Sequence, residues 1–221
     1  LEEKMKRFCV IGIGNFGYYV ARALFENRHE VTAIDVSQEK VQNIKDHSSA
    51  AIQGDAASKD FLVSQGIQDM DAVIVATGQR SHMSTLITLF LKELEVKRIL
   101  VKSVNDDHSR ILKKVGATDI IQPEKDMAYK TARALSFSNI LDFIPLAEEY
   151  SITEVAPPRH FIGKDLITLN LRQKYQVTVI AVKDVLDEKF LPAPPPDYVI
   201  KDSDLIILIG QTEDVEKALK G

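Results

Sequence analysis

Tryptophan is missing from this 221-residue chain, and cysteine occurs once, as Cys9. A lone cysteine excludes an internal disulfide and any cysteine-rich zinc cluster. Its place in the apolar run FCVIG suits a small buried hydrophobe. Long hydrophobic stretches are lacking too. The longest, such as LIILIG at 205–210, are strand-sized and far short of the ~20 residues that a membrane-spanning helix needs. The start, LEEKMKRFCVIG, offers a short charged lead and then a strand, with no apolar stretch of signal length. These absences predict a cytoplasmic chain that does not insert into the bilayer itself, so that any membrane role goes through a partner. No cluster of Lys and Arg appears and the formal charge is −4, which argues against a nucleic-acid polymer as the main partner. What the chain does have is 45% hydrophobic residues, enough for a real core.

Short β-branched runs alternate with longer periodic segments from Arg7 to about Ile121: RFCVIG, EVTAID, AAIQG, DAVIVAT, RILVKS and TDIIQ. They predict six strands. The intervening segments 16–27, 37–47, 58–65, 82–94 and 106–115 predict helices. Strict alternation implies a parallel sheet with right-handed crossovers and helices on both faces, a doubly wound α/β domain of the Rossmann type. Ser37 stands where it would cap the second helix, and Gly116 where it would end the fifth. Pro123 then opens EKDMAYKTARALSFSNILDFI, where Met127, Ala128, Thr131, Ala132 and Leu135 recur at helical spacing. A long helix leaving the sheet is expected there. After Pro145 come YSITEV, a short helical stretch in DLITLNL, VTVIAV, a rigid Pro-rich turn at 192–196, DLIILIG and a terminal helix TEDVEKALK. This pattern predicts a second, smaller α+β ligand domain of roughly seventy residues. The expected boundaries are 1–123 for the nucleotide domain, 124–145 for a crossover helix or linker, and 146–221 for the second domain.

GIGNFG places Gly12, Gly14 and Gly17 directly after the first strand and at the mouth of the first helix. Gly12 permits a tight turn, Gly14 lets the backbone approach a pyrophosphate, and Gly17 lets helix pack on strand. Ile13, Asn15 and Phe16 complete a loop whose free N–H groups and positive helix end attract an anion. The second strand ends at Asp35, followed by Val36; an acid there accepts from ribose hydroxyls and disfavours a 2′-phosphate. Together these features predict an adenine-nucleotide site, with an unliganded structural turn as the plain alternative. The other strands end near the same crevice. Asp55 and Ala56 follow the third and face adenine or ribose, unless Asp55 is simply a turn residue. Thr77 and Gly78 end the fourth and leave room for a nucleotide, while Lys102 and Ser103 end the fifth, toward phosphate or a second ligand. Of the five histidines, His82 alone is a candidate acid or base, and none pairs with an acid in a catalytic motif. Binding without turnover is therefore expected, with no catalytic residues.

GIGNFG, the acid in AIDVSQEKV, ASKDFLVSQGI, STLITLFLKEL and VGATDIIQPEKDMAYKTARAL together make a pattern that resembles the Trk/Ktr-type regulators of potassium conductance, the RCK family. Its KtrA-like branch is the most similar, and the likeness covers nearly the whole chain. YSITEV, DLITLNLRQKY, PAPPPDYVI and the final DLIILIG are similar to that family's C-terminal ligand domain. The resemblance implies a TrkA-N domain followed by a TrkA-C domain in a regulatory subunit. Homodimers would assemble to an octameric ring under a TrkH- or KtrB-like membrane potassium-translocating subunit, through which the chain would be peripherally membrane-associated. It implies ATP and ADP competing for the glycine-rich crevice, NAD(H) binding there as well, and a divalent or monovalent cation placed at the phosphates by Glu124. It further implies cyclic di-AMP held by Leu166, Ile167, Asn170, Arg172 and Pro194, with Arg172 facing phosphate. One residue departs from the pattern: the family often has arginine in GxGRFG, and here Asn15 brings no charge. A weaker preference for ATP over ADP follows. The readings left open are an NAD(H)-dependent oxidoreductase, a redox-sensing regulator, and an RCK-type regulator of another ion transporter.

Overall fold

The computed structural model describes residues 5–78, 81–136, 140–147 and 149–220, the side chains of Arg133 and Ala134 excepted. The chain divides into two units, Leu1–Glu124 and Lys125–Gly221. In the first, strands and helices alternate as β1 (Arg7–Ile11), α1 (Asn15–Glu26), β2 (Glu30–Asp35), α2 (Gln38–Ile44), β3 (Ala50–Gln53), α3 (Lys59–Ser64), β4 (Ala72–Val75), α4 (Ser81–Glu93), β5 (Ile99–Lys102), α5 (Asp106–Val115) and β6 (Asp119–Ile121). All six strands pair in parallel, in the order β3-β2-β1-β4-β5-β6. The doubly wound expectation is met.

Successive strand residues point to opposite faces, and both faces are dry. Cys9, Ile11, Ile34, Val73, Val75, Ile99 and Val101 pack with Leu62 of α3, Ile87 and Leu91 of α4 and Leu112 of α5. Val10, Val31, Ala33 and Ile74 pack with Ala21 of α1 and Ile44 of α2. The order reverses between β1 and β4, so the loops after these two strands diverge and leave a crevice at their carboxyl ends. Burial holds the Cys9 thiol far above its ordinary pKa, so it behaves as a hydrophobe. Gly116 ends α5 with φ of 126°. Ser37 occupies the position before α2, but its side chain makes no capping bond; its N–H turns back to Asp35 instead.

The second unit is an antiparallel sheet of β10-β9-β11-β8-β7 with helices on one side. Its elements are β7 (Ile140–Pro145), β8 (Tyr150–Val155), α7 (Leu166–Leu169), α8 (Leu171–Tyr175), β9 (Thr178–Asp184), β10 (Lys189–Pro192), β11 (Asp204–Gln211) and α9 (Thr212–Lys220). Along β11 every second residue is buried, which is the pattern of a sheet with one covered face. Ile206 and Leu208 meet Val215 and Ala218 of α9 there.

Two expectations are corrected here. The helix opened by Pro123, α6 (Pro123–Ser136), stops short; residues 137–139 lie outside the described residues, and Ile140–Pro145 is a strand. ILDFI has apolar residues at helical spacing, at 140, 141, 143 and 144, but antiparallel pairing of Ile140 with Val155 and of Ile144 with Ile152 decides for the strand. The Pro-rich turn begins one residue late, because Pro192 is the last residue of the edge strand β10, where a missing N–H is tolerated.

Candidate functional site

The glycine loop runs from β1 into α1 and its shape follows from sterics. Gly12 has φ of 93°, and a Cβ on it would stand 2.6 Å from the carbonyl oxygen of Ala76, after β4. A Cβ on Gly17 would stand 1.9 Å from the Gly12 oxygen, so the start of α1 lies directly on the turn. Gly14 differs: it precedes α1 in extended conformation, and nothing lies within 4 Å of where its Cβ would be. No side chain caps α1, so its first N–H groups face this open flank with the positive end of the helix dipole.

Asp35, 7% exposed at the end of β2, closes the other wall. Its Oδ2 accepts from the Ile13 N–H at 2.7 Å and its Oδ1 from the Ser37 N–H at 2.9 Å, with Lys40 Nζ 3.6 Å from Oδ2. The acid therefore ties the glycine loop to the β2–α2 turn. A carboxylate has about four lone-pair sites, so it retains capacity for a ribose hydroxyl. Between the walls lies a cavity of about 340 Å³ that brings together Gly12, Gly14, Asp35, Val36, Asp55, Ala56, Thr77 and Gly78. Asp55 is also a turn former, its Oδ1 accepting from the Ala57 N–H. Thr77 Oγ1 is buried and has no partner among the described residues, an orphan polar atom on the cavity wall. An open cradle, uncapped helix N–H groups, an acid at the ribose position and an orphan hydroxyl fit an adenine nucleotide.

Other expected residues stand apart from that cavity. Ile13 and Asn15 line an adjoining depression with Tyr18, Lys40 and Asn43, joined to the first at Gly14 and Lys40. Phe16 lies beneath Lys102, whose Nζ is 5.9 Å from the ring centroid and is ion-paired with Glu124. That ammonium holds the Glu124 carboxyl below the usual range. Glu124 was expected to place a cation, yet here it is neutralised by a lysine. Among the described residues no group of three or more His, Cys, Asp or Glu gathers at one place. Ser103 bonds Asn105 at the start of α5, serving the helix and not the crevice.

His82 is not in the crevice; it lines a groove between α4 and α5 with His108. In the second unit, Leu166 packs on the core and Ile167 is exposed, its N–H donating to the Pro196 carbonyl of the Pro-rich loop. Asn170 is left-handed (φ 47°) and exposed between α7 and α8, Arg172 is exposed on α8, and Pro194 is half-buried. Sequence reasoning missed Lys40, Met83 and Ile87 on the crevice wall. Lys40 had a legible signal, since the first helical turn after the acid folds back toward it; Met83 and Ile87 are core-spaced residues of α4 that reach the crevice only through packing.

Comparison with known proteins adds an independent line. The TrkA-N domain model matches residues 8–123 and the TrkA-C domain model residues 151–220. The chain is 40% identical over 214 residues to the Ktr system potassium uptake protein A of Bacillus subtilis (strain 168), covering 97% of this chain and 96% of the relative. To the protein of the same name from Vibrio alginolyticus it is 32% identical over 215 residues, with 97% of each covered. Among solved structures, the GsuK channel bound to NAD superposes with a TM-score of 0.66 at 15% identity, over 100% of this chain and 40% of that one.

Proposed function

The chain belongs to the TrkA-N and TrkA-C domain family, and on that premise we propose that it is a nucleotide-binding regulatory subunit of a membrane potassium-uptake system and catalyses nothing itself. The observation that carries the reading is the open flank of Gly14, faced across the crevice by Asp35. A diphosphate would take the N–H groups at the start of α1, and the ribose would take Asp35. Thr77 would gain the partner its hydroxyl lacks. Of the ionisable groups on the wall, Asp35, Asp55 and Lys40, none is a histidine or cysteine suited to acid–base or nucleophilic chemistry. ATP, ADP and NAD(H) are the ligands proposed, and cyclic di-AMP is proposed for the second unit around Ile167, Asn170 and Arg172.

Regulation is a coupling: a nucleotide shifts the state of the assembly only by the difference in its affinity for the two states. The partner proposed is a TrkH- or KtrB-like potassium-translocating subunit, reached by a homodimer-based octameric ring. No described helix is long and apolar enough to cross a membrane. Helix α6 supports self-association, since Met127, Tyr129 and Leu135 are 59%, 69% and 82% exposed in the single chain.

Thermal unfolding against ATP, ADP, NAD⁺, NADH and NADP⁺ tests the ligand class, because a ligand at a hundred times its Kd stabilises the native state by about 2.7 kcal/mol. ATP, ADP and NAD(H) should raise the transition, and NADP⁺ should raise it less. Equal transitions with and without every nucleotide would end the reading.

A further inference from the structure

Two aspartates face each other where the second sheet meets the Pro-rich loop. Asp184 ends β9 and Asp204 begins β11, directly opposite in the antiparallel register, and they are only 8% and 1% exposed. Like charges so placed repel, and burying them costs free energy unless each finds donors. Most of those donors come from the end of the Pro-rich loop. Tyr198 Oη donates to Asp204, at 3.2 and 3.1 Å from its two oxygens, and the Lys201 N–H donates to Asp204 Oδ2 at 2.8 Å. The Lys201 ammonium lies 2.8 Å from Asp184 Oδ2, and Ser203 Oγ donates to Asp184 Oδ1 at 3.3 Å. The Leu186 N–H, in the turn after β9, completes Asp184 at 3.1 Å. The same loop lies along the start of α7. The Pro196 carbonyl accepts from the Ile167 N–H at 3.1 Å, Val199 bridges Asp165, and Ile200 exchanges backbone bonds with Gly163 and Lys164. Pro194, Pro195 and Pro196 have fixed φ and no N–H, so this stretch is stiff and gives α7 acceptors alone. Fixed at Tyr198, such a strap keeps its place beside Ile167; freed there, it is displaced as a body.

We propose that Tyr198 and Asp204 are the latch of a strap, residues 193–200, and that this latch sets the geometry of the ligand surface around Ile167 without touching the ligand. The inference rests on the ligand reading of the second unit given above and names the residues that position one wall of it. Ile167 and Val199 are 65% and 49% exposed, one on each side of the junction with Pro196, so the apolar surface that a planar base would cover is formed jointly by α7 and the strap. Binding there is favoured to the extent that the strap is already in place, because the ligand need not then order it. Opening the latch takes the Tyr198 hydroxyl from a buried carboxylate that faces a second one, and that cost keeps the strap closed in the free chain. Tyr198 and Asp204 are thus positioning residues.

The test is amide hydrogen exchange, together with titration calorimetry against cyclic di-AMP, on the full-length protein. Tyr198→Phe should speed exchange of the Ile167 amide about ten-fold or more, well beyond any change at the Ile206 and Leu208 amides of β11, and should weaken cyclic di-AMP binding about ten-fold. Tyr198→Phe/Asp204→Asn removes the stranded charge as well as the latch. In that double variant the melting temperature should return toward wild type while Ile167 exchange and ligand affinity stay at the Tyr198→Phe values, a separation that a merely structural role would not give. Ile167 exchange no faster in Tyr198→Phe overturns the proposal, as does unchanged ligand affinity in a variant whose Ile167 amide does exchange faster. Affinity that recovers together with stability in the double variant overturns it too. A wild type that does not bind cyclic di-AMP removes the ligand reading, a distinct result, and Ile167 exchange in Tyr198→Phe then decides the latch by itself.

Discussion

Gly14 and Gly17 stand three residues apart in one loop, yet a methyl group added to each meets opposite surroundings. At Gly17 it would lie 1.9 Å from a backbone oxygen that cannot yield without moving β1 away from α1. Gly17→Ala should cost about 3 kcal/mol or more in urea unfolding. At Gly14 it enters empty space, so Gly14→Ala should stay within about 1 kcal/mol of wild type while nucleotide affinity falls, because the methyl occupies the approach to the helix N–H groups. Asp35 combines the two roles. Asp35→Ala leaves the Ile13 and Ser37 amides without their acceptor and should lose about 2–3 kcal/mol in addition to ligand binding. Asp35→Asn keeps one acceptor oxygen and should recover part of the stability, which calorimetry of both variants would read.

At the scale of elements, the packing of α4 against α5 contains a titratable group at its centre. His108 is 4% exposed; its Nδ1 accepts from the Val104 N–H at 3.3 Å, which puts the ring proton on Nε2, toward the Ser84 and Thr85 hydroxyls. Burial pushes its pKa below the ordinary imidazole value. The unfolded chain therefore takes up this proton first, near pH ~6.5. Stability from this source is flat above that pH and falls as pH drops below it. Urea unfolding between pH 8 and 5.5 should show the decline, and His108→Gln should flatten it. The groove beside His108 also carries His82 and Asp107, both at its open side, and neither replaces the buried imidazole in that balance. Asn105 caps α5 by accepting from the His108 N–H at 2.8 Å, so Asn105→Ala should lose about 1 kcal/mol.

For the whole molecule, the relevant fact is that each unit has its own hydrophobic core. Calorimetric unfolding of the intact chain should accordingly resolve into two transitions. ATP or ADP should raise only the one that belongs to the first unit, since the crevice lies wholly within it. A single transition moved as a whole would mean that the two cores unfold as one cooperative body. Sedimentation should report a mass well above the 24.7 kDa of one chain, and Leu135→Glu on α6 should lower it.

The sequence by itself determined the doubly wound sheet, because each strand and helix of that unit carries a local signal. Its strands are short, near-continuous apolar runs, as a sheet covered on both faces requires, apolar residues recur at a period of 3.6 in the helices, and Gly12 and Gly17 stand where only glycine fits. It determined the place of the crevice as well, since Gly12, Gly14 and Asp35 are tied to strand ends by chain position. Tertiary structure alone decided the rest. Residues 140–144 have apolar positions at helical spacing, and pairing with the neighbouring β8 made them a strand. Met83 and Ile87 look like ordinary helix core until α4 is seated beside the crevice. The pairing of Lys102 with Glu124 joins residues that α5 and β6 separate in sequence; the parallel sheet sets their strand ends side by side, and electrostatics then brings the charges together.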